Sequence, residues 1–465
     1  MLMEFAALSR SLGARFFGNS GKPGFSSVCI DSREVREGAL FFALAGASVD
    51  GHSFVEAAFE GGAIAAMVDA AKLEQFDLVR AAARMGKDLI VVDNPLKGFQ
   101  DAARVYLEGF PLLVKIGITG SSGKTTTKEI AAAIIGAEKS VVMNPGNFNS
   151  ETGLPLAVFA VRAHHEVGVF EMGMNRRGEI AELAEVLKPN IALITNIGVS
   201  HIGIIGRKQA IAQEKKNIFS CFSGSELALI PADDEYSGFL AEGVNGRVSF
   251  YGADSFAELG AVKSLGLDGS EIVWGGETIH FALPGKHNIA DALAAIAIAR
   301  ETGVSHAAIK QGLESVKPLF GRTEILRGRA TVIRDCYNAN LESLREAVEF
   351  CDSVEWPGRK IYVIGEMLEL GEYSISAHKQ AGELLAVSAA DSIFLFGNET
   401  EAARLELETA KGRAKPVFFT NDIKALERAL EAEVTDGDLV LLKGSRGCAL
   451  ERLCGIPAFS PVGGV

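Results

Sequence analysis

Residues 117–125 read Gly-Ile-Thr-Gly-Ser-Ser-Gly-Lys-Thr, with an apolar run before them and a helical pattern after them. Such a segment can cradle a polyphosphate. Glycines let the backbone turn its N–H groups toward phosphate oxygens, and the following helix adds its positive N-terminal end. Gly117, Thr119, Gly120, Ser121, Ser122, Gly123, Lys124, Thr125 and Thr126 are the candidate nucleotide contacts. Lys124 has the reach for β- and γ-phosphates, and Thr125 has a hydroxyl for Mg²⁺. The commonest phosphate loop, GxxxxGK followed by Ser or Thr, would put its first glycine at position 118. That residue is Ile118, and the glycine comes one position earlier, at Gly117.

Four more segments hold residues of chemical interest. An apolar run ends at Glu171, followed by Met-Gly-Met-Asn. A carboxylate at the carboxyl end of a parallel strand would sit beside the phosphate loop, where Mg²⁺ belongs; an ordinary surface glutamate is the other reading. His201 closes Asn-Ile-Gly-Val-Ser-His after another run, and reads as a metal ligand or as a satisfied loop histidine. Lys215 lies at helical spacing from Ile211, Ile218 and Phe219, so its stem lies on an apolar face. Partial burial favours its neutral amine, which can take up CO₂ as an anionic carbamate; a snorkelling lysine is the alternative. Asn288, in Pro-Gly-Lys-His-Asn-Ile-Ala-Asp, offers an amide to an adenine edge or caps a helix.

The loop ending in TGSSGKTT resembles that of the Mur ligase family, in which ATP drives amide-bond formation. The segment EMGMNRRGEI is similar to the family's metal-glutamate segment, which implies that Glu171 is a ligand. The same resemblance implies a metal-associated histidine at His201 and a carbamylated lysine at Lys215, with Lys216 the rival if the register slips. Lys124, Lys215 and His201 are thus the expected catalytic residues, and Thr125, Glu171, His201 and Lys215 the expected metal set. The family pattern GxHNxxN places Asn288 at the adenine; Asp291 stands where Asn is usual and is left out of the site. Arg322 resembles an arginine that reaches the phosphates across a domain boundary, and Asp335 is placed to accept from ribose hydroxyls.

The stretch Asp-Cys-Tyr-Asn-Ala-Asn at 335–340 resembles the DxYNAN motif of the branch that adds D-alanyl-D-alanine to a UDP-N-acetylmuramoyl-tripeptide. The DYAHxP and DNPR stretches of the diaminoacid-adding branch are not in the sequence. Two positions depart from the pattern, with Leu341 for a proline and Glu366 for an aspartate. Asp-Ser-Arg at 31–33 and Asp-Gly-His at 50–52 match the family's UDP-binding section. The resemblance implies substrate contacts from Ser32, Arg33, Asn147, Asn149, Tyr337, Asn338, Asn340, Lys443, Ser445 and Arg446. It also implies ATP and Mg²⁺ as cofactors and an acyl-phosphate intermediate.

These residues need elements to hold them. At roughly 150 residues per domain, 465 residues suggest about three domains. Apolar runs at 27–30, 39–44, 63–68 and 89–92 give the first section an α/β pattern. Asn94-Pro95 is a turn signal before a helical stretch. Strands are then expected at 113–119, 166–170 and 191–196, with a helix at 125–135. Further strands are expected at 330–333, 360–364, 392–396 and 439–443. Alternating strands and helices imply mainly parallel sheets. The expected fold is α/β in three domains: an N-terminal UDP-substrate-binding domain (1–94), a central P-loop ATPase domain (95–319) and a C-terminal Rossmann-like ligase domain (320–465).

Acids outnumber bases to a net charge of −13, which argues against nucleic acid as a partner. Six scattered cysteines without a CxxC pair argue against a disulfide framework or zinc site. The N-terminus reads as an amphipathic helix, not a signal peptide, and no apolar run approaches the ~20 residues of a membrane span. The expectation is a soluble, cytoplasmic monomer with no membrane span.

Overall fold

A computed structural model describes residues 1–46, 48–409 and 415–460. The chain builds three α/β sections, each around a mainly parallel sheet. In the first, strands Asp88–Val92, Ala65–Asp69, Ala39–Phe42 and Ser27–Cys29 run parallel, and Arg15–Phe17 pairs antiparallel along the outer edge of Asp88–Val92. Ala39–Phe42 is buried throughout, as a strand covered on both faces must be. The N-terminal helix Phe5–Leu12 buries Phe5 and Leu8 and stops at Gly13, whose left-handed backbone (φ 61°) ends the helix. Asn94 caps helix Pro95–Glu108 with proline in its first turn. Phe99 of that helix meets Phe42 of the first sheet at 4.5 Å between ring centres, tying the first section to the second.

The central sheet has six parallel strands. Its middle strand β1 (Val114–Thr119) lies between β2 (Val167–Glu171) and β3 (Ile191–Ile194). Chain order reverses direction around β1, which opens a crevice at the carboxyl ends of these strands. The register pairs Glu171 with Ile118 and Ile194 with Thr119, so both neighbours end beside the loop that leaves β1. A slip of one residue would turn Glu171 to the other face. Helix α1 (Lys124–Gly136) follows the loop and packs on the alanine-rich α2 (Lys286–Glu301), ten of whose residues are buried.

The third section has a six-stranded sheet in which β4 (Thr331–Asp335) and β5 (Leu439–Lys443) are parallel neighbours. Helix α3 (Leu341–Ser353) follows β4 and faces the central section. Every expected strand is present to within a few residues. Strands Val141–Met143, Leu227–Pro231, Arg247–Tyr251 and Val417–Thr420 were not foreseen, nor was a three-stranded antiparallel sheet at 259–281. Arg247–Tyr251 has four of its five residues exposed and so lacks an apolar run, whereas Leu227–Pro231 is buried throughout and has one, so its omission has no such reason. Among the described residues no helix is long and apolar enough to cross a membrane.

Candidate active site

Between the central and third sections lies a cleft of about 870 Å³, floored by the phosphate loop. The loop folds as it does because two glycines leave room for neighbours. Gly120 (φ 155°) has the side chain of Thr195 where a Cβ would go, and Gly123 (φ 77°) has the carboxylate of Asp291 there. Asn196 fastens the loop from β3, accepting from Ser122 N at 3.0 Å and donating to Ser122 Oγ at 2.9 Å. Ser121, Ser122, Gly123, Lys124, Thr125 and Thr126 line the cleft. Gly117 does not belong to the loop. It is paired with Phe170 inside the sheet, packed against Ile218, Met172 and Pro189, so its smallness serves packing. Thr119 is fully buried beneath the loop, and its hydroxyl finds no hydrogen-bond partner among the described residues.

Two lysines converge on one oxygen. Lys124 Nζ donates to the carbonyl of Gly120 at 2.9 Å, and Lys215 Nζ donates to the same carbonyl at 2.8 Å. Burial lowers the pKa of both; Lys215 falls well below the ordinary lysine value, through burial first and then the nearby Lys124 charge. Beside them, Glu171 is 2% exposed. Its Oε2 accepts from Thr125 Oγ1 at 2.8 Å and its Oε1 accepts from Asn149 Nδ2 at 2.6 Å. A carboxylate and a hydroxyl side by side are hard oxygen donors of the kind Mg²⁺ takes while keeping several waters, so this pair fits that ion. The other two expected metal residues point elsewhere: Lys215 as an amine to Gly120, and His201 to the third section. His201 has a left-handed backbone (φ 63°), and its Nδ1 lies 2.8 Å from Glu369 Oε2 without hydrogen-bond alignment. It still lines the cleft.

The third section reaches into the central one. Arg322 Nη2 donates to Thr125 Oγ1 at 3.0 Å while its guanidinium lies over the Tyr337 ring, 4.3 Å from the centroid. Asp335 pairs with Lys443 at 2.9 Å, and Lys443 also donates to Asn338 O. Asn340 caps α3 through Ser343 N and donates to Ser200 Oγ across the boundary. Leu341, at the usual proline position, is simply the first residue of that helix. Asn147, Asn149, Asn288, Tyr337 and Asn338 line the cleft as well, and Asn288 Nδ2 donates to Pro284 O at 2.7 Å.

Four expected substrate residues lie outside the cleft lining. Ser445 Oγ is buried and accepts from Leu368 N, while Arg446 pairs with Glu451 at 2.6 Å. Ser32 and Arg33 form a short turn of the first section, where Arg33 pairs with Asp31. His52 has both ring nitrogens engaged, with Asp50 at 2.6 Å and with Asp69 N at 2.9 Å, so it clamps the fold.

Asp291, left out of the site on sequence grounds, lines the cleft. It is buried against Gly123, and Thr127 Oγ1 donates to its Oδ1 at 3.3 Å. Burial, then the Glu346 charge, raises its pKa well above the carboxylate range. Glu346 of α3 also lines the cleft, and burial lifts it to about 7 against the opposing pull of Lys443. Sequence reasoning passed over Glu346, Asn196, Asn144 and Lys128. Two of them carried a usable signal: Lys128 is a charge one helical turn after Lys124, and Asn196 opens the segment that ends at His201.

Comparison with known proteins fits this geometry. The family model "Mur ligase middle domain" matches residues 118–299, "Mur ligase, glutamate ligase domain" matches 321–446, and "Mur ligase family, catalytic domain" matches 25–103. The chain is 43% identical over 455 residues to the UDP-N-acetylmuramoyl-tripeptide–D-alanyl-D-alanine ligase of Treponema pallidum (strain Nichols), covering 97% of this chain and 98% of that protein. It is 33% identical to the Bacillus subtilis (strain 168) ligase of the same name, over 92% of each. Among solved structures, MurF from Acinetobacter baumannii superposes with a TM-score of 0.84 at 26% identity, covering 96% of this chain and 97% of that one. MurF ligase from Thermotoga maritima in complex with ADP gives 0.77 at 27% identity, over 93% and 97%.

Proposed function

The chain belongs to the Mur ligase family, and on that premise we propose that it joins D-alanyl-D-alanine to UDP-N-acetylmuramoyl-tripeptide with ATP, in peptidoglycan precursor synthesis. The observation that carries this reading is the 3.0 Å reach of Arg322 to Thr125. It joins the Tyr337 motif of the third section to the phosphate loop of the second. In this reading residues 1–94 hold the UDP end, 95–319 hold ATP, and 320–465 supply the acceptor side and close the cleft. The enzyme works in the cytoplasm, as a monomer, where ATP and the nucleotide-linked substrate are found.

The residue types suit the two chemical steps. The tripeptide's terminal carboxylate attacks the γ-phosphorus of ATP; an O–P bond forms and ADP leaves. Lys124, Arg322 and loop N–H groups offset charge between carboxylate and triphosphate. Mg²⁺, held by Thr125 and Glu171, would add a further positive charge there. The amine of D-alanyl-D-alanine then attacks the acyl carbon; a C–N bond forms, phosphate leaves and the amine gives up a proton. An acyl phosphate hydrolyses in water, so contacts across the cleft such as Asn340–Ser200 matter for excluding solvent.

The proposal extends to Lys215. Its buried amine, beside the Lys124 charge, is held away from the cationic state. A neutral amine can add CO₂, forming an N–C bond and releasing a proton, to give an anionic carbamate. That anion would face Lys124 and supply the oxygen donor the unmodified lysine lacks.

The test supplies purified enzyme with ATP and candidate substrate pairs, and measures phosphate release. Release that requires both UDP-N-acetylmuramoyl-tripeptide and D-alanyl-D-alanine is the expected result. Release with a UDP-linked dipeptide and a diaminoacid, or with a folate and glutamate, would overturn it.

A further inference from the structure

Lys128 is fully buried, one helical turn beyond Lys124 on α1. Its ammonium donates to the carbonyls of Asn144 at 2.8 Å and Gly146 at 3.3 Å, and lies 3.2 Å from the Glu129 carboxylate. Two of the ammonium's donors are thus held by carbonyls, and the adjacent carboxylate offsets its charge. Burying a cation costs free energy even when it is paired, and an apolar side chain of similar volume would pack the same space without that cost. What the charge adds is a fixed path for the backbone it holds.

That backbone is the loop 144–149. From within it, the Asn144 side chain accepts from Glu171 N at 2.9 Å and donates to Glu171 O at 3.0 Å. At its far end Asn149 donates to the Glu171 carboxylate at 2.6 Å. Asn147 and Asn149 both line the cleft. Gly146, whose carbonyl Lys128 also holds, has a left-handed backbone (φ 52°) that glycine adopts without strain.

We propose that Lys128 is a positioning residue: its buried ammonium shapes loop 144–149 so that Asn147 and Asn149 present their amides to the UDP-linked substrate beside Glu171. The phosphate-loop helix and the substrate loop are thereby one rigid unit. The inference rests on the ligase reading above, and its test separates the two.

The experiment compares wild type with Lys128→Met in the three-substrate assay and by hydrogen exchange. No turnover by the wild type with UDP-N-acetylmuramoyl-tripeptide and D-alanyl-D-alanine would overturn the ligase reading, while exchange still reports on the loop. Given wild-type turnover, the variant should raise KM for UDP-N-acetylmuramoyl-tripeptide about tenfold or more, the size of a lost charged hydrogen bond, with KM for ATP changed less than about threefold. Exchange should quicken at 144–149 and not along α1. An unchanged KM for the UDP-substrate, or equal rises in both KM values, would overturn the assignment. If Lys128→Met does not fold, Gly146→Ala replaces it. A Cβ there meets no atom within 4 Å but strains the left-handed backbone. It should give the same selective rise in KM, and an unchanged KM would overturn the proposal.

Discussion

Lys124 and Lys215 donate to the same carbonyl oxygen, that of Gly120, at 2.9 and 2.8 Å. Two cations would repel at this separation, and burial removes the water that would screen them. The pair is relieved if Lys215 is uncharged, and relieved further if it becomes a carbamate. Lys215→Ala should therefore lower turnover by about a hundredfold, some 2.7 kcal/mol of barrier. Added bicarbonate should not restore it. Wild-type enzyme equilibrated with ¹³C-bicarbonate should show a carbamate carbon resonance that the variant lacks. Full activity in the variant would remove Lys215 from the mechanism.

Arg322 does two things at once, donating to Thr125 Oγ1 and stacking over Tyr337. A lysine keeps the charge but has neither the planar fork nor the stacking face. Arg322→Lys should thus lose most of what Arg322→Ala loses, about tenfold to a hundredfold in kcat/KM for ATP. Steady-state kinetics on both variants check this. A lysine variant close to wild type would reduce the role of Arg322 to charge alone.

How much of this was legible in the sequence depended on whether one local pattern carried the signal. The parallel strands with apolar runs, such as Val114–Thr119 and Leu439–Lys443, were readable because burial on both faces demands such runs. Lys124, Thr125 and Glu171 were readable because a phosphate loop and a strand end fix their places. Gly117 misled because a glycine kept small for packing against Ile218 looks the same as one that turns a loop. Asn340 and Ser445 carry structural hydrogen bonds that their motifs do not announce: a helix cap, a contact with Ser200 and the backbone of Leu368. Asp291 and Glu346 approach each other only when sections two and three come together, over a sequence distance no local pattern spans.

Asp291 stands where the family's pattern has asparagine, and its carboxyl is buried against Gly123. Its pKa is raised well above the ordinary 3.8, by burial first and then by Glu346. A raised folded-state pKa means the native state favours the protonated form. The cost of ionisation then accrues as pH rises past the unfolded value. Asp291→Asn keeps the shape and an acceptor for Thr127 and removes that cost. The variant should be at least as stable as wild type at pH 8, and should bind an ATP analogue no more weakly. Thermal unfolding and calorimetric titration measure both. Weaker nucleotide binding in the asparagine variant would show that the charge itself is used.

Glu346 permits the sharpest pH experiment. Burial lifts its pKa from 4.5 to about 7, with Lys443 pulling it down and Asp335, Glu342 and Glu349 pushing it up. The folded state therefore holds this proton more tightly than the unfolded chain does. Its contribution to stability is complete below about pH 4.5 and is lost as pH rises through 7. The shift would correspond to about 3 kcal/mol at most, less whatever solvent screening the cleft permits. Glu346→Gln does not titrate. It should match the wild-type melting temperature near pH 5 and exceed it at pH 8, because the wild type then carries a buried charge that glutamine lacks. Melting curves at half-unit pH intervals from 5 to 8 would follow that difference directly. A difference that stays flat across the range would mean that Glu346 ionises as it does in the unfolded chain.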